Sequence, residues 1–87
     1  MTHHLDFRAL LVKIQELLSD GDRQRLHFLF GEDVPRHLRE DPSINGSLRV
    51  LESLLDKAII TEEDCDYLIN AFKKINCDNA AQRLRGN

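Results

Sequence analysis

Apolar positions recur at helical spacing along almost the whole chain. Phe7, Leu10, Leu11, Ile14, Leu17 and Leu18 share one arc of a 3.6-residue wheel, which predicts a first helix from about Leu5 to Leu18. Ser19-Asp20-Gly21-Asp22 ends it and supplies caps for the next. The second helix is expected to turn Leu26, Leu29 and Phe30 inward and to stop at Gly31, a favourable residue just past a helix end. Val34-Pro35 opens a short irregular piece. Pro35 suits the first turn of a brief helix through Arg39, because its missing N–H is not needed there.

Asp41 to Gly46 reads as a loop by composition. A fourth helix is expected from near Ser47, burying Leu48, Leu51, Leu55 and Ala58. Thr61-Glu62-Glu63-Asp64 looks like the start of a fifth. Thr61 would be its cap, and three carboxylates would complement the helix dipole. That helix is expected to bury Cys65, Leu68, Ala71, Phe72 and Ile75 and to break over Asn76 to Asn79. Ala80, Ala81 and Leu84 suggest a last short helix with Asp78 as its cap. No segment reads as a strand, repeat or low-complexity tract. The fold class is therefore all-α: five or six antiparallel helices with short connections.

The chain has 87 residues, and residues 1–87 are expected to form one domain. A chain of this size buries roughly 60–65% of its unfolded surface, enough for one modest core. Hydrophobic residues at 41% and charged residues at 31% fit a folded domain rather than a disordered one. No apolar run approaches the roughly 18–20 residues needed to span a bilayer. The opening MTHHLDFRALL lacks the features of a signal peptide. Cys65 and Cys77 fall near opposite ends of one predicted helical stretch, which sets them roughly 18 Å apart. A disulfide needs Cα atoms within about 7 Å. Unpaired thiols point to a reducing, cytoplasmic setting.

The net charge of −3 disfavours nonspecific nucleic-acid binding. Acidic residues crowd Glu52 to Asp66, where Lys57 alone opposes Glu52, Asp56, Glu62, Glu63, Asp64 and Asp66. Arginines crowd Asp22 to Arg39, as Arg23, Arg25, Arg36 and Arg39. Two readings stand side by side: ordinary solvated helix faces, or two unlike patches that attract each other between molecules.

The residues of a chemical site are missing. There is no CxxC, HxxxH or HExxH, and Gly21, Gly31 and Gly46 are isolated, so neither a metal site nor a phosphate loop is spelled out. The adjacent His3 and His4 offer at most weak metal binding. Catalysis is not expected, and neither is a cofactor.

What remains is surface. In RLHFLFGED, Phe28 points roughly opposite the Leu26/Leu29/Phe30 arc. A Phe left outside a helix forgoes about 1.5–3 kcal/mol of burial. Leu5 and Val12 fall off the core stripe of the first helix, close to one another, and Val50 does the same on the fourth. Such residues on several helices suggest patches for partner contact.

At this point the sequence resembles a death effector domain, over about Leu5 to Leu84. The resemblance rests on Phe7-Arg8-Ala9-Leu10-Leu11, Leu26-His27-Phe28-Leu29-Phe30, Leu48 to Leu55 leading into Ala58-Ile59-Ile60, Asp64-Cys65-Asp66-Tyr67-Leu68 and Lys74-Ile75-Asn76. Its most specific piece is Phe28-Leu29 preceded by Leu26, and that piece separates it from the pyrin, caspase-recruitment and death domains of similar architecture. The resemblance implies a six-helix antiparallel bundle, the death fold, with the Phe of the pair in an apolar docking patch. Family members also carry an Arg-x-Asp-Leu at the start of the sixth helix, which pairs with an acidic residue near the start of the second. Asp22 matches the acidic position. The arginine falls at Asn76 or Cys77 and the aspartate at Asp78 or Asn79, so Asp22 and Asp78 are what is left of that triad. Its loss is more like the second domain of a tandem initiator-caspase or caspase-regulator pair.

The resemblance implies a homotypic interaction module of apoptotic or innate-immune signalling that recruits or regulates caspases. Its partners would be other death effector domain proteins, including copies of itself in a filament, with neither nucleic acid nor membrane. One face would present Phe28 and Leu29 with Arg25 and Arg36. The other would present Leu5, Val12 and Val50 with Glu16 and Glu52. Two alternatives are a monomeric docking module for a kinase or other non-family partner, and a helical nucleic-acid binder using Arg23, Arg25, Arg36 and Arg39.

Overall fold

In the computed structural model, which describes residues 2–86 and the side chains of 5–86, the chain forms six α-helices. They are α1 (Thr2–Leu17), α2 (Asp20–Phe30), α3 (Arg36–Arg39), α4 (Ile44–Asp56), α5 (Asp66–Lys74) and α6 (Asp78–Arg85), with a 3-10 turn at Gly31–Asp33. Among the described residues there is no strand, and the all-α expectation holds as a six-helix bundle. The side chains of His3 and His4 lie outside the described residues.

Ser19 sets where the first two helices part. Its hydroxyl accepts from the Asp22 N–H at 3.0 Å, while the Asp22 carboxylate accepts from the Ser19 N–H at 3.2 Å, a reciprocal capping box. Ser43 caps α4 with its hydroxyl alone, accepting from the Gly46 N–H at 3.1 Å, so α4 begins three residues before the expected Ser47. A Cβ on Gly46 would run into the backbone oxygen of Asp41, which explains a glycine inside the first turn. Gly31, at φ 53° and ψ −133°, turns the chain from α2 into the 3-10 turn.

The fifth helix differs from expectation. Thr61 does accept from the Asp64 N–H at 3.0 Å, but the Thr61 N–H also donates back to the Asp64 carbonyl. The chain therefore closes a turn there and becomes helical only at Asp66. Asp78 is the first residue of α6, and Cys77 before it makes no side-chain cap.

Two helices end in the same device. After α4, Ala58 adopts φ 59°, its N–H bonds the Leu55 carbonyl, and the Ile59 N–H reaches back to Leu54. After α5, Asn76 adopts φ 62°, with Asn76 N–H on Lys73 and Cys77 N–H on Phe72. Both are Schellman ends. Ala58, expected in the core, is thereby exposed and outside the helix.

α4 occupies the centre, in contact with α1, α2 and α3. This corrects the reading of Val50, which is 0% exposed and lies in the core with Leu51 and Leu54. Two apolar stripes overlap at Leu51. A helix covered on several sides buries the Ser47/Val50/Leu51/Leu54 stripe completely and half-buries Leu48 and Leu55.

On α2 the buried positions are Arg23, Leu26, His27 and Phe30, so His27 takes the inward place expected of Leu29, which is 45% exposed. On α1, Gln15 is buried and Leu17 is exposed, the reverse of the apolar pattern. Cys65, expected in the core, is only half-buried.

The buried Arg23 joins three segments of backbone. Arg23 donates from Nη1 to the Gln15 and Leu18 carbonyls at 2.7 and 2.6 Å and from Nε to the Pro42 carbonyl at 2.6 Å, and pairs with Asp20. It thus bonds two carbonyls at the end of α1 and ties them to the loop before α4. It is no part of a surface arginine patch.

Candidate interaction surfaces

The first surface is built by α2 and α3. Arg25, Phe28 and Leu29 stand at i, i+3 and i+4 on α2 and so are neighbours on its outer side. The Phe28 ring is 80% exposed. Beside it lies a shallow pocket of about 370 Å³ lined by Gln24, Phe28, Arg36, Arg39 and Glu40. Arg39 is anchored, with Nε donating to the Val34 carbonyl at 2.9 Å and its own carbonyl 3.2 Å from His27 Nδ1. Arg36 is exposed. Arg25 pairs with Asp22 at 2.7 Å.

The second surface is built by α1 and α4. Leu5, Arg8, Val12 and Glu16 form an i, i+3, i+7, i+11 stripe on α1. Leu5 is 68% exposed, and Val12 and Glu16 are exposed. Val12, Leu48, Leu51 and Leu55 line a groove of about 180 Å³ between the helices, with Arg8 and Glu52 at its edge. Arg8 Nη1 meets Glu52 Oε1 at 3.3 Å across it. Val50, beneath this face, takes no part.

Asp22 pairs with Arg25 at 2.7 Å within its own helix. The Asp22 carboxyl is held below its ordinary value, first by the Ser19 N–H and then by Arg25, a residue of its own helix. Just before α6 the Cys77 thiol lies beside it, at one of the two positions where the resemblance would place an arginine. Burial and Asp22 push that thiol's pKa up. Asp78 is exposed and opens α6.

Other chemistry-bearing groups have structural surroundings. Cys65 and Cys77 are both free thiols. Burial, with Asp64 and Asp66 nearby, pushes the Cys65 pKa up to about 11, so it stays protonated at neutral pH. Ser47 and His27 form a hydroxyl–imidazole pair, but both are buried and shut from solvent. Among the described residues no group of three or more His, Cys, Asp or Glu side chains is arranged to hold a metal ion. No described helix is long and apolar enough to cross a membrane.

Arg8 and Leu48 line the α1–α4 groove although the apolar pattern gives neither a place at an interface, and Arg39, one of the four clustered arginines, lines the pocket beside Phe28. The Leu5–Arg8–Val12–Glu16 stripe is visible on a helical wheel and would have exposed Arg8. The roles of Arg39 and Leu48 depend on how α3 and α4 pack. No protein-family profile, curated protein or solved structure matches this chain.

Proposed function

We propose that this domain is a homotypic protein-interaction module of the death effector type, working in the cytoplasm. It joins other death effector domain proteins, adaptors and initiator caspases among them, and recruits or regulates caspases in apoptotic or innate-immune signalling. The observation that carries this reading is Phe28, an aromatic ring 80% exposed on a finished helical bundle, with Leu29 and Arg25 beside it. A ring so placed gains about 1.5–3 kcal/mol when a partner covers it.

The groove between α1 and α4 supplies a receiver. Its apolar floor and its volume of about 180 Å³ suit part of an aromatic side chain, and Glu52 at its rim suits an arginine. The two faces differ and lie on different helices, so contact between copies is heterologous. Such contacts extend into a filament unless the rotation closes a ring. The Phe28 anchor provides most of the affinity, and Arg25, Arg36 and Glu52 provide orientation and association rate. In this reading the domain contributes binding, and catalysis belongs to the proteins it gathers.

The test is Phe28→Ala in sedimentation velocity and light scattering, with circular dichroism as the control for folding. Wild-type protein should assemble with rising concentration, and the variant should remain a folded monomer. Equal assembly of the two proteins would falsify the reading. A wild-type protein that stays monomeric at millimolar concentration would instead favour a one-to-one docking module.

A further inference from the structure

The turn between α4 and α5 is closed on itself. Besides the three Thr61–Asp64 bonds, the Asp66 N–H donates to Asp64 Oδ1 at 3.1 Å and the Cys65 thiol to the Thr61 carbonyl at 3.0 Å. Ile60 just before it is buried in the core, so the turn is pinned at its base. Glu62 and Glu63 stand at its exposed tip.

These two carboxylates rim a groove of about 320 Å³ whose apolar wall is Phe7, Leu55 and Ile60. That groove shares Arg8 and Leu55 with the smaller one between α1 and α4. The receiving face therefore does not stop at Glu52. It continues past Asp56 to the acidic turn.

On the opposite side of the contact, Arg36 and Arg39 rim the pocket beside Phe28. Among the described residues no carboxylate forms an ion pair with either. Glu40 lines the same pocket and offsets them only in part. Meanwhile Glu52 is already engaged by Arg8 at 3.3 Å. The acidic turn, with Glu63 at its tip, thus extends the negative charge of the receiving face beyond Glu52, and α3 offers positive charge on the pocket beside the apolar anchor.

We propose that the acidic turn Thr61–Asp64 of one molecule receives the Arg36 and Arg39 guanidiniums of a second copy of this chain. The contact rests on the homotypic assembly described above and adds its second point. A single aromatic anchor leaves rotation about itself unspecified, whereas an off-axis charge pair fixes the register. Exposed rim charges also speed encounter and lose their effect as salt screens them.

Charge reversal tests this. Glu62→Lys with Glu63→Lys, and separately Arg36→Glu with Arg39→Glu, should each weaken self-assembly about tenfold or more at low salt. Because Glu62 has another interaction in the fold, Glu63→Lys alone serves as a second variant and should weaken assembly in the same direction. A chain carrying all four reversals should regain assembly, since the opposed charges have changed places. If the lysine variants assemble as tightly as wild type while Phe28→Ala stays monomeric, the turn is not a contact and the module reading survives. Failure of the four-reversal chain to regain assembly also overturns the contact, because the charges then act elsewhere. If Phe28→Ala assembles like wild type, the underlying reading falls and takes this contact with it.

Discussion

His27 Nε2 and Ser47 Oγ lie 3.0 Å apart in the interior and join α2 to α4. The other ring nitrogen, Nδ1, lies 3.2 Å from the Arg39 carbonyl at the end of α3. A carbonyl oxygen can only accept, so Nδ1 carries the proton and Nε2 accepts from the Ser47 hydroxyl. One imidazole therefore braces three helices, including the two that carry Phe28, Arg36 and Arg39.

This brace makes stability depend on pH. Burial, aided by the nearby Arg23 charge, holds the His27 pKa below its ordinary 6.5, while the Arg39 carbonyl and Asp41 oppose the shift. The unfolded chain then binds the extra proton more readily than the folded one. The stabilisation is complete above pH 6.5 and is lost as pH falls from there through the folded pKa. Urea midpoints measured from pH 8 down to about pH 5 should fall with pH, and His27→Gln should flatten that slope. Ser47→Ala, which strips the buried ring nitrogen of its donor, should cost about 1–3 kcal/mol.

Gln15 offers the opposite case. Both polar atoms of its side-chain amide are buried without a hydrogen-bond partner among the described residues. An unsatisfied buried amide costs about 1–3 kcal/mol, and a methionine fills nearly the same space with no such cost. Gln15→Met should therefore raise the thermal midpoint. A lower midpoint would mean that the amide bonds a water inside the bundle.

Ala58 holds a left-handed backbone at φ 59° at the end of α4 and is exposed. An alanine there bears a penalty of about 1–2 kcal/mol that glycine escapes. Glycine's looser unfolded chain takes back about 0.4–1 kcal/mol. Ala58→Gly should stabilise the domain by roughly 0.5–1 kcal/mol in denaturant titration, in contrast to alanine-to-glycine changes in helix interiors.

Val50 and Phe28 should separate core from surface. Val50→Ala removes two methyl groups from a site with no exposure and should cost about 1–3 kcal/mol of unfolding free energy. Phe28→Ala should shift stability by no more than about 0.5 kcal/mol while changing assembly. If both variants lost stability alike, Phe28 would be a core residue and no anchor.

The helices and their approximate ends were readable from the chain because local physics sets them. Spacing of apolar residues, Ser19 as a cap and breaks after Phe30 and Ile75 all act within a few residues. Phe28 was readable for the same reason, since a wheel places it opposite Leu26 without knowledge of any neighbour. Val50, Leu29 and Arg23 lie elsewhere than the pattern predicts because each stands where two faces of one helix compete, and only the packing of other helices decides between them. α4 is covered by three helices, so its second stripe is buried as well. A histidine and an arginine go inside because Ser47, Arg39, Gln15 and Pro42, distant in sequence, arrive with the oxygens they need. The grooves that receive or present charge belong to pairs of helices, and no single segment contains them.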